Sequence, residues 1–419
     1  MKKYLLGGDD RLLARAVLCC SGVAPSRDRQ GAVQRLPLRA ARLLVMAAAL
    51  GVLLLQVFVA MGAPESGEYL VYFGTYTDKA SKGIYAYRFQ PSTGKLTSIG
   101  LVAETPNPAF LAVTPNQKRL YAVNWKGGNN VPGDTVSAYD IDQKTGKLTF
   151  LNRVPSNGEM PTHLTTDSSG KMLLVVTYTG GNAVGYQILP DGRLSEPTVN
   201  DQHTGKSVHK VAGPHAHGVI VSPDNRYAFV ADVGLDRVYS YRINPAKGLW
   251  TPHDPPFLQT TPDTGPRHLA FHPSGKFLYS NAESRPAVLS FEVSGGNLKL
   301  IQDLPALPAD FQGRSSTAEI QIDQKGRFVY VSNRGHDSIG VFAVDPANGK
   351  LTAVQHASTQ GKTPRNFSLD PTGGYLFAGN QNSDTVVQFK VDPGTGRLTP
   401  TGQPIEIPAP TCVLFVKAQ

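Results

Sequence analysis

Residues 265–283 read GPRHLAFHPSGKFLYSNAE. Two short apolar runs, LAF and FLY, flank the turn sequence HPSGK, and this pattern predicts a β-hairpin. Arg267 and His268 enter the first strand, and Glu283 leaves the second. Because the start of one antiparallel strand lies beside the end of the next, the hairpin brings these three side chains to one edge of a sheet. No turn requires that chemistry, so this edge is where we expect a functional site.

The same hairpin pattern recurs along the chain, at segments that begin at Pro108, Pro161, His217, Ala318 and Pro364. Each is followed by a third alternating run, a glycine-containing corner and a fourth run. The corners are TGKL at 93–96, TGKL at 145–148, DGRL at 191–194, KGLW at 247–250, GGNL at 295–298, NGKL at 348–351 and TGRL at 395–398. Four short strands repeating at this period predict an all-β fold, a seven-bladed β-propeller.

The two ends of the repeat array predict that the ring is closed. The first repeat, which begins at Glu68, has the second, third and fourth strands of a blade but lacks the first. The chain ends with PAPTCVLFV at 408–416, which matches the missing first strand. We therefore expect the C-terminal strand to complete the N-terminal blade and to remove two open sheet edges.

The N-terminal segment differs from the repeats in charge and hydropathy. Residues 1–63 hold nine Lys and Arg against three Asp and Glu, so they supply +6 of the formal net charge of +9. The basic balance belongs to this extension and gives no case for nucleic acid binding. An apolar run at 43–61 follows Arg35, Arg39 and Arg42, and this predicts a signal peptide or an uncleaved membrane anchor. We expect residues 64–419 to form an exported propeller, periplasmic or extracellular, that meets a membrane only through this segment.

Cysteine and histidine usage gives little support for a metal or a disulfide. Cys412 is the only cysteine after residue 63, and we expect it to be a small core residue. His215 and His217 are spaced as two metal ligands on one strand face would be. In the hypothesis of a metal site, the third ligand would be His163, His268 or Glu283. That spacing alone is a weak signal, so we expect neither a metal nor a cofactor. His203 and His209 fall in a loop, where we expect them to be solvated.

Three segments resemble the seven-bladed propeller lactonase family. They are YFGTYTDKASKGIYAYRF at 72–89, GPHAHGVIVSPDNRYAFVADVG at 213–234 and GPRHLAFHPSGKFLYSNAE at 265–283. This family includes the propeller type of 6-phosphogluconolactonase and the fungal carboxy-cis,cis-muconate cyclase, and the resemblance covers residues 68–417. It implies a lactone substrate and an active site of the cyclase type, whose His/Arg/Glu/Arg set corresponds here to His217, Arg267, Glu283 and Arg334.

Chemistry gives these four residues plausible roles. His217 is the candidate general base or acid, with Glu283 orienting it or sharing that role. Arg267 and Arg334 would bind the lactone carbonyl and an anionic group of the substrate. A second group, predicted to contact substrate, is His163, His215, Glu319 and Arg365. The alternative is structural: Glu283 and Arg334 would be an inter-blade ion pair, and His163 and His268 would be core histidines.

Three function classes stay open at this point. The first is a metal-independent lactonase that hydrolyses 6-phosphogluconolactone or a related sugar lactone. The second is a ring-closing enzyme of the muconate cyclase kind, and the third is a non-catalytic exported propeller that binds carbohydrate or protein. No GxSxG motif occurs, so a serine-esterase mechanism has no support. We expect a monomer.

Overall fold

The computed structural model describes residues 67–125, 134–206 and 213–419, which form seven antiparallel sheets around a central channel. The predicted all-β, seven-bladed propeller is therefore confirmed. Within the described residues the one helical element is a 3₁₀ turn at Pro245–Lys247. The predicted signal peptide or anchor, and the boundary at residue 63, lie outside the described residues. In the described part of the chain, no helix is long and apolar enough to cross a membrane.

The strands follow the blades in chain order. Blade 1 contains β1 (Tyr69–Thr75), β2 (Gly83–Gln90) and β3 (Lys95–Glu104), and blade 2 contains β4 (Pro108–Val113), β5 (Arg119–Asn124), β6 (Thr135–Ile141) and β7 (Leu148–Pro155). Blade 3 contains β8 (Pro161–Thr166), β9 (Met172–Thr177), β10 (Asn182–Ile188) and β11 (Leu194–Gln202). Blade 4 contains β12 (Ala216–Val221), β13 (Tyr227–Asp232), β14 (Arg237–Asn244) and β15 (Leu249–Gln259).

Blade 5 contains β16 (Pro266–Phe271), β17 (Phe277–Ala282), β18 (Ala287–Ser294) and β19 (Asn297–Pro305). Blade 6 contains β20 (Ser316–Ile322), β21 (Phe328–Arg334), β22 (Ser338–Val344) and β23 (Leu351–Ser358). Blade 7 contains β24 (Pro364–Leu369), β25 (Tyr375–Asn380), β26 (Thr385–Val391), β27 (Leu398–Pro400) and the short β28 (Ile405–Glu406). The last strand, β29 (Pro410–Lys417), returns to blade 1. The first strand of each blade lines the channel and contacts the first strands of its neighbours.

Ring closure follows the prediction. Strand β29 pairs antiparallel with β1, from Tyr69 opposite Lys417 to Thr75 opposite Pro410. Cys412 on this strand is buried as expected, and the backbone N–H of Leu111 in blade 2 points at its sulfur, 3.4 Å away. The closing strand therefore packs against both neighbouring blades, blade 2 and blade 7.

The glycine corners join neighbouring blades. The second residue of every corner is a glycine with φ between 63° and 89°, a left-handed conformation that favours glycine. In four cases a tyrosine hydroxyl from the second strand of the preceding blade donates to the corner carbonyl: Tyr72 to Gly146, Tyr121 to Gly192, Tyr279 to Gly349 and Tyr330 to Gly396, at 3.0–3.1 Å. The repeat of corners seen in the sequence is thus also a repeat of inter-blade hydrogen bonds.

The hydrophobic core is divided among the interfaces between blades. One cluster joins Tyr121 and Val136 of blade 2 to Leu173 and Val175 of blade 3, and six others join the remaining pairs of neighbours. At the interface between the first and last blades, Phe73 of blade 1 packs with Phe377 of blade 7 in one of these clusters. Burial of each large apolar side chain contributes about 1.5–3 kcal/mol, so every blade depends on both neighbours.

We expect a chain that ends after Pro408, and so lacks β29, to aggregate or to lose cooperative unfolding. The truncation exposes the edge of β1 and removes one wall of two interfaces. A chain that ends after Lys417 keeps β29 and is the matched control. Light scattering and chemical denaturation of the 64–419 domain would measure the difference. Soluble, cooperative folding of the shorter chain would contradict the closure account.

Candidate active site

Every first strand carries a β-bulge near its start, on the channel side. In blade 4, pairing passes from Ala216 opposite Asp232 to Gly218 opposite Ala231, which leaves His217 unpaired. The same shift occurs at the equivalent place in the other blades. Bulges re-aim side chains, and here they point an extra residue of each blade toward the channel axis. We call these residues the bulge ring: Ala109, Thr162, His217, Arg267, Ala318, Arg365 and Thr411.

The bulge ring encloses a very small cavity. Six of its members, all except Ala318, line a space of about 10 Å³ together with Phe110, His268 and Asn366. Three of the predicted site residues, His217, Arg267 and Arg365, are therefore brought to one cavity by the bulges of three different blades. The bulge itself was not foreseen, because alternating hydrophobicity does not distinguish a bulged strand from a regular one.

A second layer of side chains closes the channel below the ring. The ring centroids of Phe110 and His163 lie 4.1 Å apart, and those of His163 and His268 lie 4.7 Å apart. His268 Nδ1 donates to Glu319 Oε2 over 3.2 Å, and the Asn366 amide donates to the same oxygen. Below this layer a cavity of about 520 Å³ begins, with largely aliphatic walls. We call the five side chains of this second layer the plug: Phe110, His163, His268, Glu319 and Asn366.

Glu283 holds two arginines of the predicted site. Its Oε2 accepts from Nε of Arg267 in the same blade at 2.7 Å, and its Oε1 lies 3.0 Å from Nη2 of Arg334 in blade 6. Burial alone would raise the pKa of Glu283, but the charges of Arg334 and Arg267 outweigh it and lower the pKa to about 2. Its oxygens are occupied and its base strength is low. Among the described residues no hydrogen bond joins Glu283 to His217, so Glu283 orients the two arginines and not the imidazole.

Arg267 is the most constrained of the arginines. Only 2 % of the residue is exposed, and its Nη1 donates to the Ala318 carbonyl and, at 3.2 Å, to His268 Nε2. Burial lowers the pKa of Arg267 to about 9, against the opposing effect of Glu283, so the guanidinium stays charged at neutral pH. A fixed buried cation is well suited to stabilise negative charge that develops on a substrate.

His217 lies beside this cation, also buried. Burial and the charge of Arg267 hold the pKa of His217 well below its usual range, so the imidazole is neutral at neutral pH. Its Nδ1 has no hydrogen-bond partner among the described residues. A neutral imidazole with an unused nitrogen can accept a proton, as the predicted role of base requires.

His215 is oriented by its neighbour Tyr178. The His215 and Tyr178 rings stack at 4.5 Å, and His215 Nδ1 donates to the Tyr178 carbonyl at 2.8 Å. The Tyr178 ring also meets His217 edge-on at 5.5 Å. His215 is thereby placed next to the general base candidate, at the upper side of the ring.

The expectation that His203 is solvated is wrong, whereas His209 lies outside the described residues. The His203 ring is buried against Tyr239, and its Nδ1 lies 2.6 Å from Asp232 Oδ2. The other oxygen of Asp232 accepts the backbone N–H of His215 at 2.9 Å, so this pair anchors the segment that carries the histidines of the site. Asp232 was a missed signal: three of the other blades have asparagine at this buried position, namely Asn124, Asn333 and Asn380. A buried carboxylate there needs a partner.

Arg365 and the aromatic residues occupy the channel mouth. The Arg365 guanidinium lies over the Tyr76 ring, 5.2 Å from its centroid, and Tyr76 meets Trp125 edge-on at 5.6 Å. Among the described residues Arg365 has no carboxylate within ion-pair distance. The arginines of the site therefore outnumber the carboxylate that binds them, and the mouth favours anions.

Two of the predicted substrate-binding residues, His163 and Glu319, belong to the plug. Burial and the charge of His268 hold the pKa of His163 well below its usual range. Burial raises the pKa of Glu319 to about 7, although a backbone donor at Ile320 favours its ionised form. Both lie one layer below the ring, whereas His215 and Arg365 lie at or above it.

The metal alternative finds no complete ligand set. Within residues 67–125, 134–206 and 213–419, no three His, Cys, Asp or Glu side chains converge as metal ligands would. Tyr178 is the nearest aromatic neighbour of His215, at 4.5 Å between ring centroids, whereas the His217 imidazole lies 5.2 Å from that of His268.

We expect Glu283→Gln to destabilise the domain at pH 7 by roughly 1–2 kcal/mol, an amount reduced by screening because a quarter of the side chain is exposed. Since the pKa of Glu283 is lowered, its stabilising effect is present above the ordinary glutamate range and is lost as the pH falls toward about 2. The gap between wild type and variant should therefore narrow on acidification. Denaturation at several pH values measures it, and Glu292→Gln, an exposed site in the same blade, is the control. An equal gap at all pH values would contradict the assignment.

Comparison with known proteins agrees with this architecture. The sequence matches the family described as Lactonase, 7-bladed beta-propeller over residues 70–415. It is 36 % identical to a 6-phosphogluconolactonase of Bacillus subtilis over 303 residues, which cover 72 % of this chain and 84 % of the relative. A 6-phosphogluconolactonase of Formosa agariphila is 32 % identical over 305 residues, 71 % of this chain and 86 % of that relative.

Among solved structures, the periplasmic gluconolactonase of Pseudomonas aeruginosa is similar, with a TM-score of 0.80 and 34 % sequence identity. That likeness covers 83 % of this chain and 99 % of the Pseudomonas chain. The match to the lactonase family, over residues 70–415, extends through all seven blades and includes the hairpin that carries Arg267 and Glu283. The chain belongs to the seven-bladed β-propeller lactonase family.

Proposed function

We propose that the protein hydrolyses a sugar lactone that carries an anionic group, of the 6-phosphogluconolactone type, at the upper mouth of the channel. The observation that carries the proposal is the cluster in which Glu283 fixes two arginines beside the neutral, unpartnered imidazole of His217. The activities named for the relatives, 6-phosphogluconolactonase and gluconolactonase, support the same class of substrate.

The lactone would lie above the bulge ring, because the cavity within the ring is too small for a sugar. Water loses a proton to His217 Nδ1 while its oxygen bonds to the carbonyl carbon. Arg267 stabilises the negative charge that develops on the carbonyl oxygen. The bond from this carbon to the ring oxygen then breaks, and the ring oxygen takes the proton from His217. The new carboxylic acid ionises and releases one proton.

The anionic group of the substrate is assigned to the arginines at the mouth. Arg334 is 15 % exposed at its side chain, and its Nε has no partner among the described residues. Arg365, which lies over Tyr76 without a carboxylate partner in the described chain, supplies a second cation. Guanidinium groups suit phosphate and carboxylate because their donors form a planar fork.

We expect His217→Ala to lower kcat/KM for the best lactone roughly 10²–10⁴-fold, and Arg267→Ala to lower it roughly 10²–10³-fold, because they remove the base and the charge stabilisation. A pH-stat assay of the 64–419 domain measures both, with melting temperature recorded for each variant. Arg193→Ala, at an exposed corner, is the control. Since the pKa of His217 is lowered, the acid limb of kcat/KM should lie below the ordinary histidine range.

The same assay separates the alternatives. Arg365→Ala should impair a phosphorylated lactone more than its neutral counterpart, roughly tenfold or more, if Arg365 binds the anionic group. Activity should survive exhaustive chelation with EDTA if side chains alone perform the chemistry. If His217, Arg267 and Arg365 variants all keep wild-type turnover, or if no lactone is hydrolysed, the proposed function is wrong.

We also propose that the propeller is exported. The apolar run at 43–61 behind three arginines supports this, as does the periplasmic location named for the Pseudomonas protein. Fractionation of cells that express the full chain should place the propeller outside the cytoplasm, whereas a chain of residues 64–419 should stay inside. Full-length protein recovered quantitatively in the cytosol would contradict export.

A further inference from the structure

The small cavity within the bulge ring is the starting point for a further assignment. Its volume of about 10 Å³ is near the minimum that holds one water molecule, and it is lined by polar side chains of several blades. We propose that the bulge ring binds the hydrolytic water, and that Thr411 of the closing strand is the residue that positions it. This inference rests on the proposed lactonase function for the use of that water, but not for its binding.

Two buried polar atoms of the ring lack partners among the described residues. They are Nδ1 of His217 and Oγ1 of Thr411, and the two residues are 4 % and 2 % exposed. Both line the same cavity. Buried polar atoms are rarely left without a hydrogen-bond partner, so two of them at a single-water cavity indicate a shared water partner.

Thr162 and Asn366, two other polar residues of the cavity, are already engaged. The Thr162 hydroxyl donates to the His217 carbonyl at 3.4 Å. The Asn366 amide donates to Glu319, and its oxygen accepts the Val413 N–H at 2.8 Å. Of the two threonines in the ring, Thr411 is thus the one whose hydroxyl is available to a water.

The position of Thr411 follows from ring closure. It is the residue left unpaired where β29 shifts register against β1, between Cys412 opposite Gly74 and Pro410 opposite Thr75. The equivalent positions in blades 2 and 6 are Ala109 and Ala318, which have no hydroxyl. The terminal strand therefore closes the propeller and also delivers a polar group to the channel axis.

The geometry gives the water a defined orientation. The Thr411 hydroxyl holds the water on one side, and the water donates a proton to His217 Nδ1 on another, which leaves an oxygen lone pair for the lactone carbonyl above. Thr411 acts through the water and not on the sugar. Its loss should therefore reduce kcat and leave KM nearly unchanged.

The kinetic test compares Thr411→Val, which removes only the hydroxyl, with Thr411→Ser, which retains it. We expect a five- to tenfold loss of kcat for the valine variant, as for loss of one hydrogen bond, and near wild-type kcat for serine. KM should change less than twofold. Thr166→Val is the control, because Thr166 lies in the same channel below the plug and its hydroxyl donates to Val113.

A crystallographic test does not depend on activity. Wild-type crystals should show a water within about 2.7–3.2 Å of both His217 Nδ1 and Thr411 Oγ1, and Thr411→Val crystals should show it lost or displaced. A wild-type ring without that water overturns the inference, whatever the enzyme's substrate. The ordered water together with unchanged kcat in Thr411→Val would overturn the positioning role, as would equal losses in the valine and serine variants that follow melting temperature. Absence of any lactone turnover would instead count against the proposed function.

Discussion

The antiparallel pairing of β29 with β1 is the constraint on which the rest of the molecule depends. The core is divided among seven interfaces, so no blade has a complete core of its own. The pairing of the two chain ends completes blade 1, whose residues form part of the core clusters shared with blades 2 and 7. Closure also fixes the circumference of the channel, and therefore the distances between the residues of the bulge ring.

The bulges convert this scaffold into a site. A regular first strand would place alternate side chains on the two faces of each blade, whereas a bulge turns one residue toward the axis. Because the same bulge recurs around the ring, seven residues converge, and they differ in chemistry although their backbone positions are equivalent. The plug below them isolates the upper mouth from the larger lower cavity, so charges such as Arg267 act in an environment of low dielectric constant.

Much of this could be predicted from the sequence. The number of blades followed from the glycine corners, and closure followed from the missing first strand. The contact between Arg267 and Glu283 followed from the hairpin, because their positions are fixed by antiparallel pairing alone. The two residues are 16 apart in sequence and 2.7 Å apart in space.

The remaining features depend on contacts between distant residues. The Asp232–His203 pair joins two blades, and the alternation of apolar and polar residues within a strand carries no information about contacts between blades. His163 and Glu319 follow the bulged residues directly, and only the bulge decides that they belong to the plug. Thr411 was not among the predicted site residues, because a lone threonine has no distinguishing signal until its neighbours' hydrogen bonds are known.

The central claim is that the upper mouth of the channel is the site of lactone hydrolysis. The most direct test is a crystal structure of the 64–419 domain with 6-phosphogluconate, the product of the proposed reaction. The account predicts that the carboxylate lies over Arg267 and His217 and that the phosphate contacts Arg334 and Arg365. A well-ordered product bound in the lower cavity or on the outer strands, with the upper mouth empty, would contradict it.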